Sequence, residues 1–453
     1  MTGTPALSRN AFSQTHPMKS RSIGWLVALT VLTLSQASAG TKHSPSSRYP
    51  SYEGRIMCGY QGWFRAEGDG SGRGWVHYGP RRFDPEHCSV DLWPEVSEYP
   101  KTYPTGFKSS DGSPARVFSS WDASTVDLHF LWMQQYGLDG AFMQRFFDVT
   151  RTEKSRANSR VILGHALKAA QKYELAIAVM YDLSGLKPGE DCSSLIQDWK
   201  ELVDELKLTS QGTNQTYLYH RGKPLVTIWG IGFPDRPYNI HSIGLEKLID
   251  FLKNDPQYGG CSVMLGVPNY FRDLRADTVS DPYLHELMAQ ADVIMPWMVG
   301  RFSASLYGEM NRYGAQVAAD QAWCAARKLD YVPCVYPGFS WYNLSHGRDP
   351  HDAIPRLKGR FYWGLMTTAI ESGAKMIYVA MFDEIDEATA IFKCTSKPPT
   401  GQPPAKFVTY EDLPSDHYLW LTGQAGRILR GEVAADKELF QNTQHKLTHT
   451  ANP

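Results

Sequence analysis

Short apolar stretches recur along the chain and alternate with segments that have helical spacing of apolar residues. Eight of these stretches are nearly continuous in apolar character and do not alternate with polar residues, which is typical of strands buried on both faces. They are Arg55–Gly62, Gly140–Phe147, Leu175–Asp182, Pro224–Gly230, Cys261–Val267, Val293–Met298, Tyr331–Tyr336 and Met376–Phe382. The pattern therefore predicts eight parallel strands.

Amphipathic segments lie between these strands. In Asp122–Tyr136, an Asp/Ser cap precedes a face formed by Val126, Phe130 and Met133. Similar segments are Arg160–Lys172, Leu195–Leu206, Leu245–Leu252 and Lys358–Ser372. Strands that alternate with helices predict an α/β fold with a single (β/α)8 TIM barrel. A doubly wound open sheet is the alternative, and Tyr217–Lys223 has the pattern of an additional hairpin.

The N-terminus has the pattern of an export signal. Lys19 and Arg21 precede the apolar run Ile23–Leu34, and a small-x-small cleavage pattern ends at Ala39. We therefore expect residues 1–39 to be a signal peptide, with Met18 as an alternative start. The protein is then exported to the periplasm, the cell surface or the extracellular space. The apolar run is short for a membrane span, and no other segment is long and apolar enough.

The remaining chain predicts one large domain with polar ends. Residues 40–52 are polar and contain Ser and Pro, so a disordered leader is expected. Residues 53–432 are assigned to the barrel, and residues 433–453 to a disordered tail. No linker within the barrel is long enough to separate two domains.

The composition of the chain excludes several classes of function. The net charge of −1 excludes a strongly basic nucleic-acid footprint or a polybasic membrane patch. Thirteen Trp and 24 Tyr would suit sugar binding, although many such rings belong in a core. The seven Cys include no Cys-x-x-Cys pair, so no structural zinc site is indicated. No phosphate loop, dinucleotide fingerprint or Gly-x-Ser-x-Gly motif occurs. We expect a carbohydrate partner, no nucleic acid, no metal, no cofactor and a monomeric state.

The most informative chemistry follows the eighth predicted strand. Four carboxylates occupy the five positions Asp383–Glu387, at the carboxyl end of a strand, where barrel active sites lie. Glycoside cleavage needs one protonated and one ionised carboxyl group, and crowding separates the pKa values of neighbouring acids. Glu384 and Glu387 are three residues apart and can face the same side. They are the predicted catalytic pair, with an acidic helix start as the alternative.

Residues at the other strand ends are predicted to bind substrate. A glycine-rich loop of residues 67–74 leads to an aromatic ring and an imidazole, which suit a sugar subsite; a calcium loop or a plain hairpin are alternatives. His220 is expected to be an ordinary loop residue more often than a ligand contact. The predicted substrate-binding residues are Tyr60, Trp63, Trp75, His77, Asp182, Trp229, Trp297 and Tyr336.

Phe382–Thr389 resembles the Phe-Asn-Glu-Trp-x-Glu-Gly-Thr signature of glycoside hydrolase family 99, the endo-α-mannosidases and endo-α-mannanases. Tyr60–Phe64 is similar to the aromatic opening of that family's first strand, and more so to the broader family 71/99-like bacterial proteins. The resemblance spans most of residues 55–392. The chain departs from the signature at Asp383, Ile385 and Ala388, where the family has Asn, Trp and Gly.

The resemblance implies a retaining enzyme that acts on α-linked mannose-type sugars without a metal. Glu384 would deprotonate the 2-hydroxyl of the sugar to form a 1,2-anhydro intermediate, and Glu387 would be the general acid/base. One alternative is an exo-acting xylosidase or arabinosidase in which Asp182 or Glu384 is a direct nucleophile. A non-catalytic carbohydrate-binding barrel and a structural surface protein are further alternatives. Sugar identity, linkage and endo or exo action stay open.

Overall fold

The computed structural model of the chain describes residues 40–212, 215–303, 306–399 and 402–444. The predicted signal peptide lies outside the described residues, as does the end of the predicted tail. The elements in chain order are β1 Ile56–Tyr60, β2 Tyr103–Lys108, β3 Pro114–Val117, α1 Ala123–Tyr136, β4 Gly140–Phe146, α2 Phe147–Thr150, α3 Glu153–Tyr173, β5 Ala176–Asp182, α4 Ser193–Glu205, β6 Tyr219–His220, β7 Lys223–Trp229, α5 Leu245–Asn254, β8 Ser262–Pro268, α6 Tyr283–Met288, β9 Val293–Trp297, α7 Leu306–Ala325, β10 Asp330–Tyr331, β11 Cys334–Val335, α8 Arg360–Glu371, β12 Ile377–Val379 and α9 His417–Leu429.

The main sheet is parallel and has the order β10-β9-β8-β7-β5-β4-β1-β12-β11. Its two outer strands, β10 and β11, are halves of one segment interrupted at Pro333, which has no N–H to donate. β10 pairs with β9, and β11 pairs with β12. The sheet therefore closes into an eight-stranded barrel, which confirms the predicted (β/α)8 fold.

All eight predicted strand regions coincide with barrel strands. Every residue of β5 and β8 is buried, as expected for strands between the barrel interior and the outer helices. The predicted hairpin is present, because β6 pairs antiparallel with β7 and does not enter the barrel. Helix α3 begins at Glu153, seven residues before its predicted start at Arg160. A reciprocal capping box between Thr152 and Ser155 extends it over a polar first turn.

The predicted disorder of residues 40–52 is wrong. This segment contains the buried side chains of Tyr49 and Tyr52, and the Tyr52 hydroxyl donates to the carbonyl of Ile377 at 2.8 Å. The backbone N–H of Lys42 donates to the carbonyl of Gln257 at 2.8 Å. The leader therefore packs against the amino ends of the barrel strands. Although most of its residues are polar, its two tyrosines bury enough apolar area to hold it there.

The predicted tail also departs from disorder where it is described. The indole N–H of Trp363 donates to the carbonyl of Asp436 at 2.8 Å, and Leu439–Gln441 form a 3-10 turn.

All seven cysteines are buried and free, so none forms a disulfide. Across the described residues, no helix combines the length and apolar character needed to cross a bilayer.

Candidate active site

Asp383 joins the carboxyl ends of two neighbouring strands. We call residues 383–387 the carboxylate turn; it follows β12. The Asp383 carboxylate accepts hydrogen bonds from the backbone N–H groups of Gln61 and Gly62, at 2.7 and 2.8 Å. Gly62 has a φ of +60°, a left-handed conformation that glycine adopts at little cost. Burial raises the pKa of Asp383 to about 7. Asp383 therefore positions the turn beside β1.

Glu384 lies in a pocket with two hydrogen-bond donors. Its side chain is buried, and its carboxylate accepts from Gln61 Nε2 at 2.7 Å and from Thr389 Oγ1 at 3.0 Å. Burial and the neighbouring charge of Glu387 raise its pKa well above the ordinary value. The two donors oppose this shift because they stabilise the ionised form. Of the two glutamates, Glu384 is therefore the one whose negative charge is stabilised by hydrogen bonds.

Glu387 has a different environment. Its side chain is partly buried, and no described residue donates a hydrogen bond to its carboxylate. Burial is the main cause that raises its pKa to about 8, followed by the charges of Asp386 and Asp182, while Arg236 lowers it. Ionising both of two neighbouring carboxyl groups costs free energy because their charges repel, so the pair retains a proton near neutral pH. Burial and the charge of Glu387 raise the pKa of Glu384 even further, so two influences on the pair oppose each other. The two hydrogen bonds that stabilise the charged form of Glu384 are the observation that favours a proton on Glu387, whose carboxylate has no donor among the described residues.

Trp63 and His77 form a stacked pair beside the carboxylate turn. The imidazole lies 3.7 Å from the indole, nearly parallel to it, and Phe146 continues the stack at 4.9 Å from Trp63. His77 Nδ1 lies 3.2 Å from Asp386 Oδ2, so the pair is tied to the turn. The structure thus brings together two predicted substrate-binding residues that are 14 positions apart.

A cleft of about 360 Å³ opens beside this stack. It reaches the carboxylate turn through Gln61 and His77, although the glutamates do not line it. Four buried polar atoms on its walls have no hydrogen-bond partner among the described residues, namely Gln61 Oε1, Trp63 Nε1, Arg65 Nε and Gln144 Oε1. Two are acceptors and two are donors. A hydroxyl-rich ligand can satisfy both kinds of atom at once.

A second group of predicted residues lies at the carboxyl ends of β5, β7 and β9. Asp182 ends β5, accepts from the backbone N–H of Ser184 at 2.7 Å, and has its pKa raised by burial to about 6. The rings of Trp229 and Trp297 meet edge to face at 5.2 Å. The guanidinium of Arg236 lies 5.4 Å from the Trp229 ring. This group adds an aromatic and cationic wall near Glu387.

Three predicted substrate-binding residues are core residues in the structure. Tyr60 is fully buried, and its hydroxyl lies 2.9 Å from His129 Nδ1 under α1. Trp75 packs on Tyr78 and Phe83 rather than on the cleft. The Tyr336 hydroxyl donates to the carbonyl of Phe302 at 2.7 Å. Tyr60 and Tyr336 lie near strand ends, where successive side chains point alternately inward and outward, so position alone does not show which of them reach the cleft. Trp75 lies in the connection between β1 and β2, where no periodic pattern shows which way its ring turns.

His220 also lies apart from Glu384 and Glu387. It belongs to β6, and its Nε2 lies 2.8 Å from Asp330 Oδ2, at the amino end of the strand segment that begins with β10. It is a structural contact between β6 and β10, at the amino ends of the barrel strands.

Sequence reasoning did not select four residues that shape the site: Gln61, Asp91, Arg236 and Thr389. Gln61 was visible at a strand end, and Thr389 is the last residue of the signature. Asp91 is buried and accepts from the backbone N–H groups of Tyr342 and Asn343, both at 2.8 Å. Asp91 and Arg236 lie in irregular connections, where no periodic pattern marks them.

Comparison with known proteins adds the fold relationship. No protein-family model matches the sequence, and no curated protein matches it. Two solved structures of the family 99 endo-α-mannosidase from Bacteroides thetaiotaomicron match with a TM-score of 0.59 each, one of them in complex with bis-tris-propane.

The fold resembles that of these family 99 structures. The identities are 16% and 17%, and the matches cover 84% of this chain and 98% and 99% of the other two. At this identity the likeness establishes the fold. The resemblance expected from Phe382–Thr389 is thereby confirmed as a structural resemblance.

Proposed function

We propose that this protein is an exported, retaining glycoside hydrolase that acts on an α-mannan-like polysaccharide or oligosaccharide. The observation that carries the proposal is the unequal environment of Glu384 and Glu387. Glu384 accepts two hydrogen bonds, whereas Glu387 accepts none from the described residues and has a pKa raised to about 8. Two carboxyl groups whose environments differ in this way can serve as base and acid in one reaction.

The proposed reaction has two steps. In the first, the Glu384 carboxylate takes the proton of the sugar 2-hydroxyl, and O2 attacks C1. The bond from C1 to the leaving oxygen breaks, and Glu387 donates its proton to that oxygen. In the second step, the Glu387 carboxylate takes a proton from water, whose oxygen attacks C1. The bond from C1 to O2 breaks, O2 regains its proton from Glu384, and the anomeric configuration is retained.

Export is supported by the apolar run Ile23–Leu34 and the small-x-small pattern that ends at Ala39. A sugar substrate is supported by the stacked pair of Trp63 and His77 and by the two donors and two acceptors of the cleft that have no partner among the described residues. An aromatic ring can pack on the apolar face of a pyranose, and the neighbouring polar groups can hydrogen-bond to its hydroxyls.

A second candidate function is a xylosidase or arabinosidase with Asp182 as direct nucleophile. It is favoured by one observation, namely that Asp182 is close enough to Glu387 for its charge to raise the pKa of Glu387. A 2-deoxy-2-fluoro glycoside separates the two mechanisms by intact-protein mass. Direct attack by a carboxylate accumulates a covalent adduct, whereas the 2-hydroxyl route leaves the protein mass unchanged because the fluoro sugar lacks that hydroxyl.

The first experiment measures product release from α-mannans, xylans and arabinans by the wild-type protein and by Glu387→Gln. We expect release by the wild type from one polymer class and a loss of about 10²–10⁴-fold in the variant, because a general acid is removed. Glu286→Gln is the matched control, since Glu286 is exposed on α6. If no polymer is cleaved while one binds both proteins equally, the protein is a sugar-binding barrel instead.

A further inference from the structure

A second cavity lies apart from the catalytic cleft. It has a volume of about 830 Å³ and lies between the β2–β3 hairpin and the connection that follows the carboxylate turn. We call it the cationic groove. Its characteristic residues are Trp93, Lys108, Arg116, Lys397, Lys406 and Phe407.

The charges of the groove are unbalanced. Lys108, Arg116, Lys397 and Lys406 are all exposed, and no acidic side chain among the described residues lies within 4 Å of any of their charged groups. Glu95 is the one acidic residue on the described walls. The whole chain has 46 Lys and Arg against 47 Asp and Glu, so this excess of positive charge is local. Unpaired charges around a concave surface concentrate a potential that attracts anions.

The walls of the groove include apolar surfaces. Phe407 is half-buried on the lining, and its ring meets that of Trp93 edge to face at 5.4 Å. Trp93, Pro398 and Pro399 are themselves buried, so they support Phe407 from behind. Two neighbouring segments of the lining are joined by a hydrogen bond from the Thr395 N–H to the Trp93 carbonyl at 3.0 Å. A ligand that fits these walls combines negative charge with an apolar face, as a sugar ring bearing an anionic substituent does.

The groove is connected to the carboxylate turn by one short segment. The backbone N–H groups of Asp91 and Leu92 donate to the carbonyl of Ile385 at 2.9 and 3.1 Å, and Ile385 lies between the two glutamates in sequence. Trp93 on the groove wall is two residues from Asp91, about 7 Å along an extended chain. The groove wall is therefore joined through the backbone to the carboxylate turn, although no described residue lines both the groove and the cleft.

We propose that the cationic groove binds a segment of an anionic glycan, whose sugar units carry carboxylate or sulfate groups. The choice of a glycan rests on the proposed function, but the binding itself does not require turnover. A nucleic acid is less suited because its phosphates need a longer cationic track than four side chains provide.

The test measures binding of the full protein to polygalacturonate, to a sulfated galactan, to a neutral mannan and to single-stranded DNA. Affinity electrophoresis at low and high salt is suitable because it needs no cleavage. The variant combines Lys108→Ala, Lys397→Ala and Lys406→Ala. The control combines Lys154→Ala, Lys168→Ala and Lys247→Ala, three exposed lysines on α3 and α5, so that both proteins lose the same charge.

We expect the groove variant to lose about tenfold or more in affinity for the anionic glycan at low salt, because three unpaired cations are removed. The control variant should keep wild-type affinity, and high salt should weaken wild-type binding. The polygalacturonate and sulfated arms identify which anionic group is preferred. Equal losses in both variants, no loss in either, or tighter binding of DNA than of either anionic glycan through the groove would overturn the proposal.

The same binding assay with Glu387→Gln separates this inference from the proposed function. Retained binding to the anionic glycan by a protein that cleaves nothing supports the groove independently of catalysis. Cleavage of a neutral mannan with no anionic binding supports the glycosidase and rejects the groove.

Discussion

Gln61 and Thr389 distinguish the two glutamates of the carboxylate turn. Both donate to Glu384, at 2.7 and 3.0 Å, so the ionised form of that residue is stabilised despite its burial. The spacing of the glutamates in the sequence identified them as a pair. The separate roles proposed for them depend on side chains that the fold brings from the end of β1 and from beyond the turn.

Replacement of Thr389 by Val tests this assignment. The variant loses one hydrogen bond to the charged form of Glu384, so the pKa of Glu384 should rise by about 1–2 units, since such a bond contributes about 1.5–3 kcal/mol. In the pH profile of kcat/KM, the acidic limb should move to higher pH by that amount. The alkaline limb, which reports protonated Glu387, should stay in place.

The control for this prediction is Thr368→Val, on the half-buried face of α8. It makes the same chemical change away from the carboxylate turn and should leave both limbs unchanged. An unmoved acidic limb in Thr389→Val would show that Thr389 does not set the ionisation of Glu384.

Among elements, helix α1 is joined to β1 by a buried polar chain. The hydroxyls of Tyr60 and Tyr99 lie 2.9 and 2.7 Å from the two ring nitrogens of His129. Burial lowers the pKa of His129 to about 3, so the ring is neutral near pH 7. A neutral imidazole has one donor and one acceptor, which matches two hydroxyl partners. This explains why Tyr60 belongs to the core and not to the cleft.

His129→Phe should destabilise the fold by about 2–6 kcal/mol, because two buried hydroxyls lose their partner at about 1–3 kcal/mol each. Adding Tyr60→Phe and Tyr99→Phe should restore part of the loss, since the unpaired groups are then removed. Urea unfolding of the single and triple variants measures both effects. A triple variant no more stable than the single one would assign the cost to packing rather than to the unpaired hydroxyls.

The same elements show which local features could be predicted from sequence. The eight strands were found because burial on both faces leaves a nearly continuous apolar run. The start of α3 was missed because its first turn is polar and is defined by the Thr152 capping box. Residues 40–52 have a polar composition, which predicts disorder. They are nevertheless structured, because Tyr49 and Tyr52 are buried against strands that are distant in sequence.

At the scale of the whole molecule, the carboxyl cluster couples stability to pH. Burial raises the pKa of Asp383 to about 7 and that of Glu387 to about 8. In the unfolded chain both groups ionise near their ordinary, lower pKa values. At any pH between the ordinary and the raised pKa values, the folded state binds more protons than the unfolded state. The free energy of unfolding contributed by these groups therefore falls as pH rises.

Urea unfolding at pH 6.5 to 8.5 should show this decline, with a slope of at most about 1.4 kcal/mol per pH unit for each retained proton. Burial lowers the pKa of His129 from its ordinary 6.5 to about 3, so this residue gives an opposing slope near pH 6.5 that fades above about pH 7.5. The decline caused by the carboxyl groups is therefore read in the upper part of the window. Glu387→Gln should have a shallower slope and exceed the wild type in stability at pH 8.5. Glu286→Gln should keep the wild-type slope; a steep slope in Glu387→Gln would remove Glu387 as its source.

The comparison of the whole fold agrees with the local resemblance. The match to the family 99 structures covers 84% of this chain at 16% identity, so the barrel is shared while most side chains differ. The positions of Ile385 and the groove residues belong to the long connections, which vary most among barrels of one fold. Substrate preference is therefore expected to reside in these connections.

The sequence by itself determined the barrel and the carboxylate turn, because both depend on local information. An apolar run specifies a buried strand, and four acids in five positions at its end specify a crowded site. Only the tertiary structure decided which acid accepts hydrogen bonds, that Trp63 stacks on His77, and that Tyr60, Trp75 and Tyr336 are core. These outcomes depend on contacts between distant segments and on the direction of each side chain at a strand end. Neither of these is encoded in the spacing of residues along the chain.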